Sequence, residues 1–249
     1  MKVVGVIPAR YASTRLPAKP LHLIAGKPLV QWVWEAASRA TTLSELVVAT
    51  DDERIAEVAR GFGAQVALTP AQCPSGTDRV AAAVAGRGAD IAVNIQGDEP
   101  LMPAENIDAC VRALLDRPEA AVSTPMVPLH DEGDLAAPHV VKVVTNSHGW
   151  ALYFSRSPIP NRSRLSPAEA AAAQPLAMKH LGLYVYRRDA LEAFVAMKPS
   201  RYEVIEKLEQ LRFLEAGYRI LMVTVAGDSI GVDTPADAAA VEQILAVRR

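Results

Sequence analysis

Residues 2–21 read KVVGVIPARYASTRLPAKPL, and the fold turns on how this stretch divides. Lys2–Ile7 is rich enough in Val and Ile to be a buried strand. The residues after it are small, bent by Pro8 and Pro17, and carry Arg10, Arg15 and Lys19. A first strand that empties into a positive loop raises the question of which negative group that loop meets.

Working outward, apolar runs and helical patterns alternate. Leu29–Arg39 reads as a helix opened by Pro28, and Leu46–Ala49 as a strand. A helix over about Asp52–Phe62, a short strand Gln65–Leu68 and a helix Thr77–Ala85 follow. Ile91–Ile95 is a strand running into QGDEP (96–100), and a helix covers about Ala104–Leu115. This rhythm predicts an α/β fold with a mainly parallel, doubly wound sheet. Ligands on such sheets sit beyond the carboxyl ends of the strands. The basic loop, TDDE (50–53) and QGDEP all fall at such ends.

The middle of the chain predicts a small mixed β subregion. Val140–Val144 and Ala151–Phe154 read as paired strands around NSHG, with a further strand at Leu181–Tyr186. Between them, SPIPNRSRLSPAEAAAAQP (157–175) contains four prolines and predicts a mobile loop, with a short helix at its alanine run. The chain then returns to α/β: a helix Glu203–Ala216 stopped by Gly217, a strand Ile220–Val225, the loop GVDTP (231–235) and a last helix. No repeat of fixed period and no linker divides it, so one domain over 1–249 is expected.

The chain has 249 residues, enough to bury a substantial core, with 50% hydrophobic and only 5% aromatic side chains. That pairing fits Ala-rich helices on a sheet better than an all-β sandwich. A net charge of −2 excludes a global field for nucleic acid or anionic membrane, so any polyanion site is local. Cys73 and Cys110 have no CxxC spacing, which points to free thiols. The first residues lack a secretory pattern, and no apolar run approaches the roughly 18 residues of a membrane span. A soluble cytoplasmic protein is expected.

Strand, turn of small residues, then spaced basic residues is a way to hold phosphates. GxxxxGK[ST] and GxGxxG are both absent. The plainer alternative is a solvated loop with ordinary surface charge. In NIQGDEP (94–100), Asp98 follows a buried strand in a turn bounded by Gly97 and Pro100. A carboxylate there suits Mg²⁺, which binds one or two carboxylates plus substrate phosphates. Gln96 offers an amide able to read a base or sugar edge. In GVDTP, Asp233 stands between a strand and a helix begun by Pro235, where either Asp233 or Thr234 also serves as a helix cap. PSGTDRV (74–80) sets small residues and Arg79 at a helix start, fitted to a base carbonyl or phosphate, or simply capped by Thr77 or Asp78. Arg156, His180 and Tyr184 stand beside predicted strands, and Glu209 and Gln210 on a helix. His180 and Tyr184, four apart on one strand, share a face. Together these residues fit a polyhydroxylated acid; singly, each also fits a structural hydrogen bond.

Read together, IPARYASTRLPAKPL, VATDDERI, SGTDRV, VNIQGDEPL, VVKVV, ALYFSRSPIP, KHLGLYVYRR, EKLEQLR and GVDTP resemble the 3-deoxy-manno-octulosonate (KDO) cytidylyltransferases in order along nearly the whole chain. YASTRLP favours this branch over the sialic-acid cytidylyltransferases, which share the IPAR start. Ala18 stands where that family usually has Gly, which asks that the backbone there not need positive φ, and His139 stands where Asn is common. The resemblance implies a nucleotidyltransferase-type fold, a homodimer, Mg²⁺, and transfer from CTP to KDO with release of pyrophosphate for lipopolysaccharide biosynthesis. It implies that Arg10 and Lys19 contact the triphosphate with Ala9 and Arg15 nearby, that Ser75, Arg79 and Gln96 lie around the cytidine, and that Asp98 and Asp233 ligate the metal. Gln96, Arg156, His180, Tyr184, Glu209 and Gln210 form the implied sugar pocket, within a region of about 125–200 that also carries dimerisation. Rival readings are the same chemistry on an 8-amino or sialic-like sugar, an idle nucleotide-binding module, and a nicotinamide-dependent dehydrogenase disfavoured by the absent glycine fingerprint.

Overall fold

The Val-rich opening forms β1, Val3–Ala9, the central parallel strand. Its alternate side chains enter opposite faces: Val3 and Ile7 pack on one, Val4 and Val6 on the other. The chain is seen in a computed structural model, which describes residues 1–12, 16–175 and 177–247. Strands β4 (Glu45–Thr50) and β6 (Ile91–Ile95) flank β1 in parallel, and β5 (Gln65–Leu68) extends β4. A two-stranded hairpin, β2 (Leu23–Ile24) with β3 (Lys27–Pro28), stands apart from this sheet.

The middle segment continues the same ten-stranded sheet. β7 (Val122–Leu129) pairs antiparallel with β10 (Ala177–His180) and β11 (Leu183–Arg187), and parallel with β12 (Ile220–Thr224). β11 also joins β6, while β8 (Lys142–Thr145) and β9 (Ala151–Ser155) extend the sheet beyond β10.

Helices cover both faces, as a sheet buried on two sides requires. α1 (Leu29–Ala37), α2 (Glu53–Gly61) and α4 (Ala104–Asp116) pack on one. α3 (Gly76–Val84), α7 (Arg188–Ala196) and α9 (Gln210–Glu215) pack on the other. A further cluster joins Leu16, Ile24, Leu29, Leu101 and Val232 to Val241 and Leu245 of α10 (Pro235–Val247). This cluster underlies the three segments that carry Lys19, Asp98 and Asp233. Two short helices, α5 (Glu132–Ala136) and α6 (Pro167–Ala172), lie in the middle region. α6 is the helix expected at the alanine run, and Ser166 and Glu169 close its start as a capping box. Among the described residues no helix is long and apolar enough to cross a membrane.

Two expected elements differ from the reading. The strand expected over Leu181–Tyr186 is β11 and begins only at Leu183, while His180 ends β10; between them the Gly182 amide donates to Glu99 Oε1 at 3.2 Å instead of to a neighbouring strand. A Cβ at Gly182 would lie 2.4 Å from that oxygen, so any other residue would push the Glu99 carboxylate away from this amide. His180 and Tyr184 therefore sit on separate strands, β10 and β11. The helix expected over Glu203–Ala216 is α8 (Arg201–Glu206) and then α9, separated by Lys207 at φ 55°. The buried Glu203–Arg212 pair spans this break, with Arg212 Nε donating at 2.7 Å. Local helical periodicity does not register such a tertiary pair.

Ala18 also departs from the sequence expectation. It has φ 51° and ψ 34°, the left-handed region, at the start of the tight turn Lys19–Leu21. An L residue there costs about 1–2 kcal/mol, partly offset by its lower unfolded-state entropy relative to glycine. A18G should therefore raise unfolding free energy by roughly 0.5–1 kcal/mol in a urea titration. A loss of stability would show that this turn is not strained.

Candidate active site

β1 and β6 are parallel neighbours, so their carboxyl ends open on the same edge. Gly97 lets the two following loops touch: a Cβ there would lie 2.6 Å from the Pro8 carbonyl oxygen. The loop after β12 is tied to the same point, because Val232 N donates to the Asp98 carbonyl at 2.8 Å. These constraints bring together three residues far apart in sequence. Lys19 Nζ lies 2.6 Å from Asp98 Oδ2 and 2.8 Å from Asp233 Oδ1. Asp233 is not used as a helix cap: Thr234 and Asp237 cap α10 reciprocally.

The other residues expected around phosphate and base behave differently from one another. Ala9 is buried in the core beneath the loop. Arg10 buries Nη2 without a partner. Arg15 lies outside the described residues. Ser75, rather than Thr77 or Asp78, caps α3, accepting from Asp78 N and donating to Asp78 Oδ2. Arg79 is 1% exposed and is committed to Asp51 and Thr69, with Nε left unpaired. Gln96 donates to Asn94 Oδ1 at 3.3 Å, at the end of β6.

On the sugar side, Tyr184 donates from its hydroxyl to Gln210 Oε1 at 3.1 Å, and Gln210 buries an unpaired Nε2. Glu209 accepts from Thr77 Oγ1 at 2.6 Å, which joins this side to the α3 start. The His180 and Tyr184 rings lie 5.3 Å apart despite the strand break, within a ladder running from Phe154 to Tyr186 and Phe213. Arg156 donates to the backbone carbonyls of Glu206 at 2.8 Å and Pro138 at 3.0 Å. It thus caps α8; among the described residues its guanidinium donates to carbonyls, while the Glu206 carboxylate accepts from its backbone amide at 2.9 Å.

Sequence reasoning missed Glu99 and Lys142. Burial and then the neighbouring Asp98 charge push the Glu99 carboxyl up to about 7, against opposing pulls from Ser229, the Gly182 amide and Lys179. A second carboxylate inside QGDEP is the signal that was available. Lys142, fully buried within VVKVV, donates to the carbonyls of Val140 and Arg156 at 2.6 Å and Ala137 at 3.0 Å. Nothing in its local sequence marks it for burial.

Buried polar atoms without partners are uncommon in folded proteins. Among the described residues Arg10 Nη2, Arg79 Nε and Gln210 Nε2 are such atoms, all on residues expected at the site, and Glu99 Oε2, Arg162 Nε and Ser229 Oγ, on residues not expected there, are the others. This leaves donors and an acceptor free for a polar ligand. The two carboxylates that converge on one ammonium present a hard, anionic pair suited to a divalent cation, so Asp98 and Asp233 fit Mg²⁺. A groove of about 510 Å³ lined by Pro70, Cys73, Asp78 and Val195 takes in none of the expected site residues.

A lysine and two aspartates thus meet on loops from distant parts of one sheet, beyond the strand ends where α/β enzymes bind their ligands. The sequence profile described as cytidylyltransferase matches residues 4–220. The chain belongs to the cytidylyltransferase family. It is 49% identical over 241 residues to the 3-deoxy-manno-octulosonate cytidylyltransferase of Geobacter sulfurreducens, covering 95% of this chain and 96% of that protein. It is 44% identical over 245 residues to the protein of the same name from Bdellovibrio bacteriovorus, covering 98% of each. A CMP:2-keto-3-deoxy-manno-octonic acid synthetase solved in complex with CTP superposes with a TM-score of 0.92 at 40% identity, over 100% of both chains. A cytidylyltransferase from Leptospira borgpetersenii, 17% identical with a TM-score of 0.65 over 99% of this chain and 87% of its own, shares the fold.

The protonation of His180 follows from its neighbours. Thr124 Oγ1 lies 2.8 Å from His180 Nε2 and 2.6 Å from the Leu183 carbonyl. That carbonyl only accepts, so it takes the single hydroxyl hydrogen, and Nε2 carries its own hydrogen toward Oγ1. This leaves Nδ1 as an acceptor. Burial pushes the ring down to about 3, so it is neutral at physiological pH. The unfolded chain takes up this proton near pH 6.5 and the folded chain only near 3. His180 therefore costs stability as pH falls below 6.5, by up to about 1.4 kcal/mol per unit. H180Q should flatten the decline in urea-unfolding free energy between pH 6 and 4.5 by nearly one proton. An unchanged slope would mean that the ring is charged in the folded protein.

Proposed function

We propose that this chain transfers the cytidylyl group of CTP to 3-deoxy-manno-octulosonate, giving the CMP-linked sugar and pyrophosphate. The observation that carries it is the meeting of Lys19 with Asp98 and Asp233, in a fold shared along its whole length with a CTP-bound synthetase. Arg10 and Lys19 neutralise the triphosphate. Ala9, Ser75, Arg79 and Gln96 surround the nucleoside. Arg156, offering charge to the sugar carboxylate, is joined by Gln96, His180, Tyr184, Glu209 and Gln210, which read its hydroxyls.

The anomeric hydroxyl attacks the α-phosphorus in line, the new O–P bond forms as the bond to pyrophosphate breaks, and the hydroxyl proton passes to solvent water. Such a transfer depends on positioning and charge neutralisation more than on a covalent intermediate. Asp98 and Asp233 would hold Mg²⁺, which when bound acidifies the hydroxyl and shields the phosphates. His180, neutral with a free acceptor, orients a hydroxyl without competing for that proton. The proposal extends to a cytoplasmic enzyme of lipopolysaccharide biosynthesis and to a homodimer. Leu152, Val204 and Ile205 are exposed apolar side chains in this part of the chain, which supports an apolar contact between copies.

D98N should lower pyrophosphate release from CTP plus KDO by about a thousandfold or more while the melting temperature holds within a few degrees. Retention of most of the wild-type rate would overturn the assignment. R10A removes one charge-assisted contact and should raise the KM for CTP roughly tenfold or more, leaving that for KDO near wild type. Steady-state titration of each substrate checks this, and R156A should show the opposite split.

A further inference from the structure

Lys19 occupies the point at which Asp98 and Asp233 converge. Its side chain is 14% exposed, and its ammonium is within hydrogen-bond distance of an oxygen from each. A hard divalent cation takes carboxylate oxygens at about 2.0–2.1 Å, inside the space that this ammonium fills. A charge of +2 and one of +1 at such separation repel strongly in a partly buried site. The two cations are therefore alternatives.

We propose that Lys19 is an exchangeable counter-ion for the metal site: its ammonium holds the two aspartates until a divalent cation replaces it, and the released lysine then meets the incoming triphosphate. This rests on the reading of Asp98 and Asp233 as metal ligands. The charges fit the exchange. A divalent cation brings the two carboxylates one more positive charge than the ammonium it replaces, and Lys19 is then released from them. A polyphosphate is the group that takes up the released ammonium. Metal and nucleotide affinities are thereby linked through a single side chain. Without nucleotide, a cation must displace Lys19 with no new partner for it, so wild-type metal binding is weakened by the lysine itself.

The test is Mn²⁺ binding to the full chain without nucleotide, read from the free-Mn²⁺ electron paramagnetic resonance signal. K19M and K19Q should each bind Mn²⁺ about tenfold more tightly than wild type, within the usual range of coupling between sites. K19R, which keeps the charge, should stay near wild type. Mn²⁺ should also raise the melting temperature of K19M more than that of wild type. A lysine that merely braced the site would give the reverse, since its loss would loosen the aspartates and weaken binding. Folded K19M and K19Q that bind Mn²⁺ no better than wild type would overturn the proposal. The underlying metal-site reading fails separately, if adding D98N to K19M leaves Mn²⁺ binding unchanged.

Discussion

Two carboxylates aimed at one point repel unless a cation lies between them. Asp98 and Asp233 meet this condition through Lys19, and much of the surrounding architecture serves to make the meeting occur. Gly97 permits the β6 turn to lie against Pro8, the Val232 amide clamps the third loop to Asp98, and one apolar cluster supports all three segments. The positive loop after β1 is thus one wall of a charged crevice. The chain has little overall charge, so this local arrangement, and no general field, supplies attraction for a polyanion.

The opposite wall is built from buried polar groups with fixed partners. Tyr184 holds Gln210, Thr77 holds Glu209, and Thr124 sets the His180 tautomer. The Lys142 ammonium and the Arg156 guanidinium both donate to backbone carbonyls. Such networks favour a single arrangement of polar atoms before any ligand arrives. Glu99 links the two walls: it stands beside Asp98 and holds the Gly182 amide between His180 and Tyr184.

Most of the parallel half was legible because its signals are local. β1, β5 and β6, and helices α1 to α4, follow apolar runs, caps and turn residues within a residue or two. The pairing of Lys19 with both aspartates was less so: the loops were readable as strand ends, but their meeting depends on strand order. The reading of His180 and Tyr184 as one strand failed because Glu99, distant in sequence, takes the Gly182 amide. The long helix failed where Arg212 reaches back to Glu203 across Lys207. The backbone at Ala18 was misjudged because a left-handed alanine is uncommon, and only the geometry of the following turn imposes it.

The amino-acid sequence by itself determined the alternating α/β pattern, the placing of charged loops at strand ends and, through motifs in order, the family. These depend on periodicity, turn chemistry and residue identity, which act over a few positions. The tertiary structure decided which charges face each other, which polar groups are buried without partners, and that one lysine stands between two aspartates. Those outcomes depend on register, strand order and desolvation, which arise only when segments remote in the chain share one sheet.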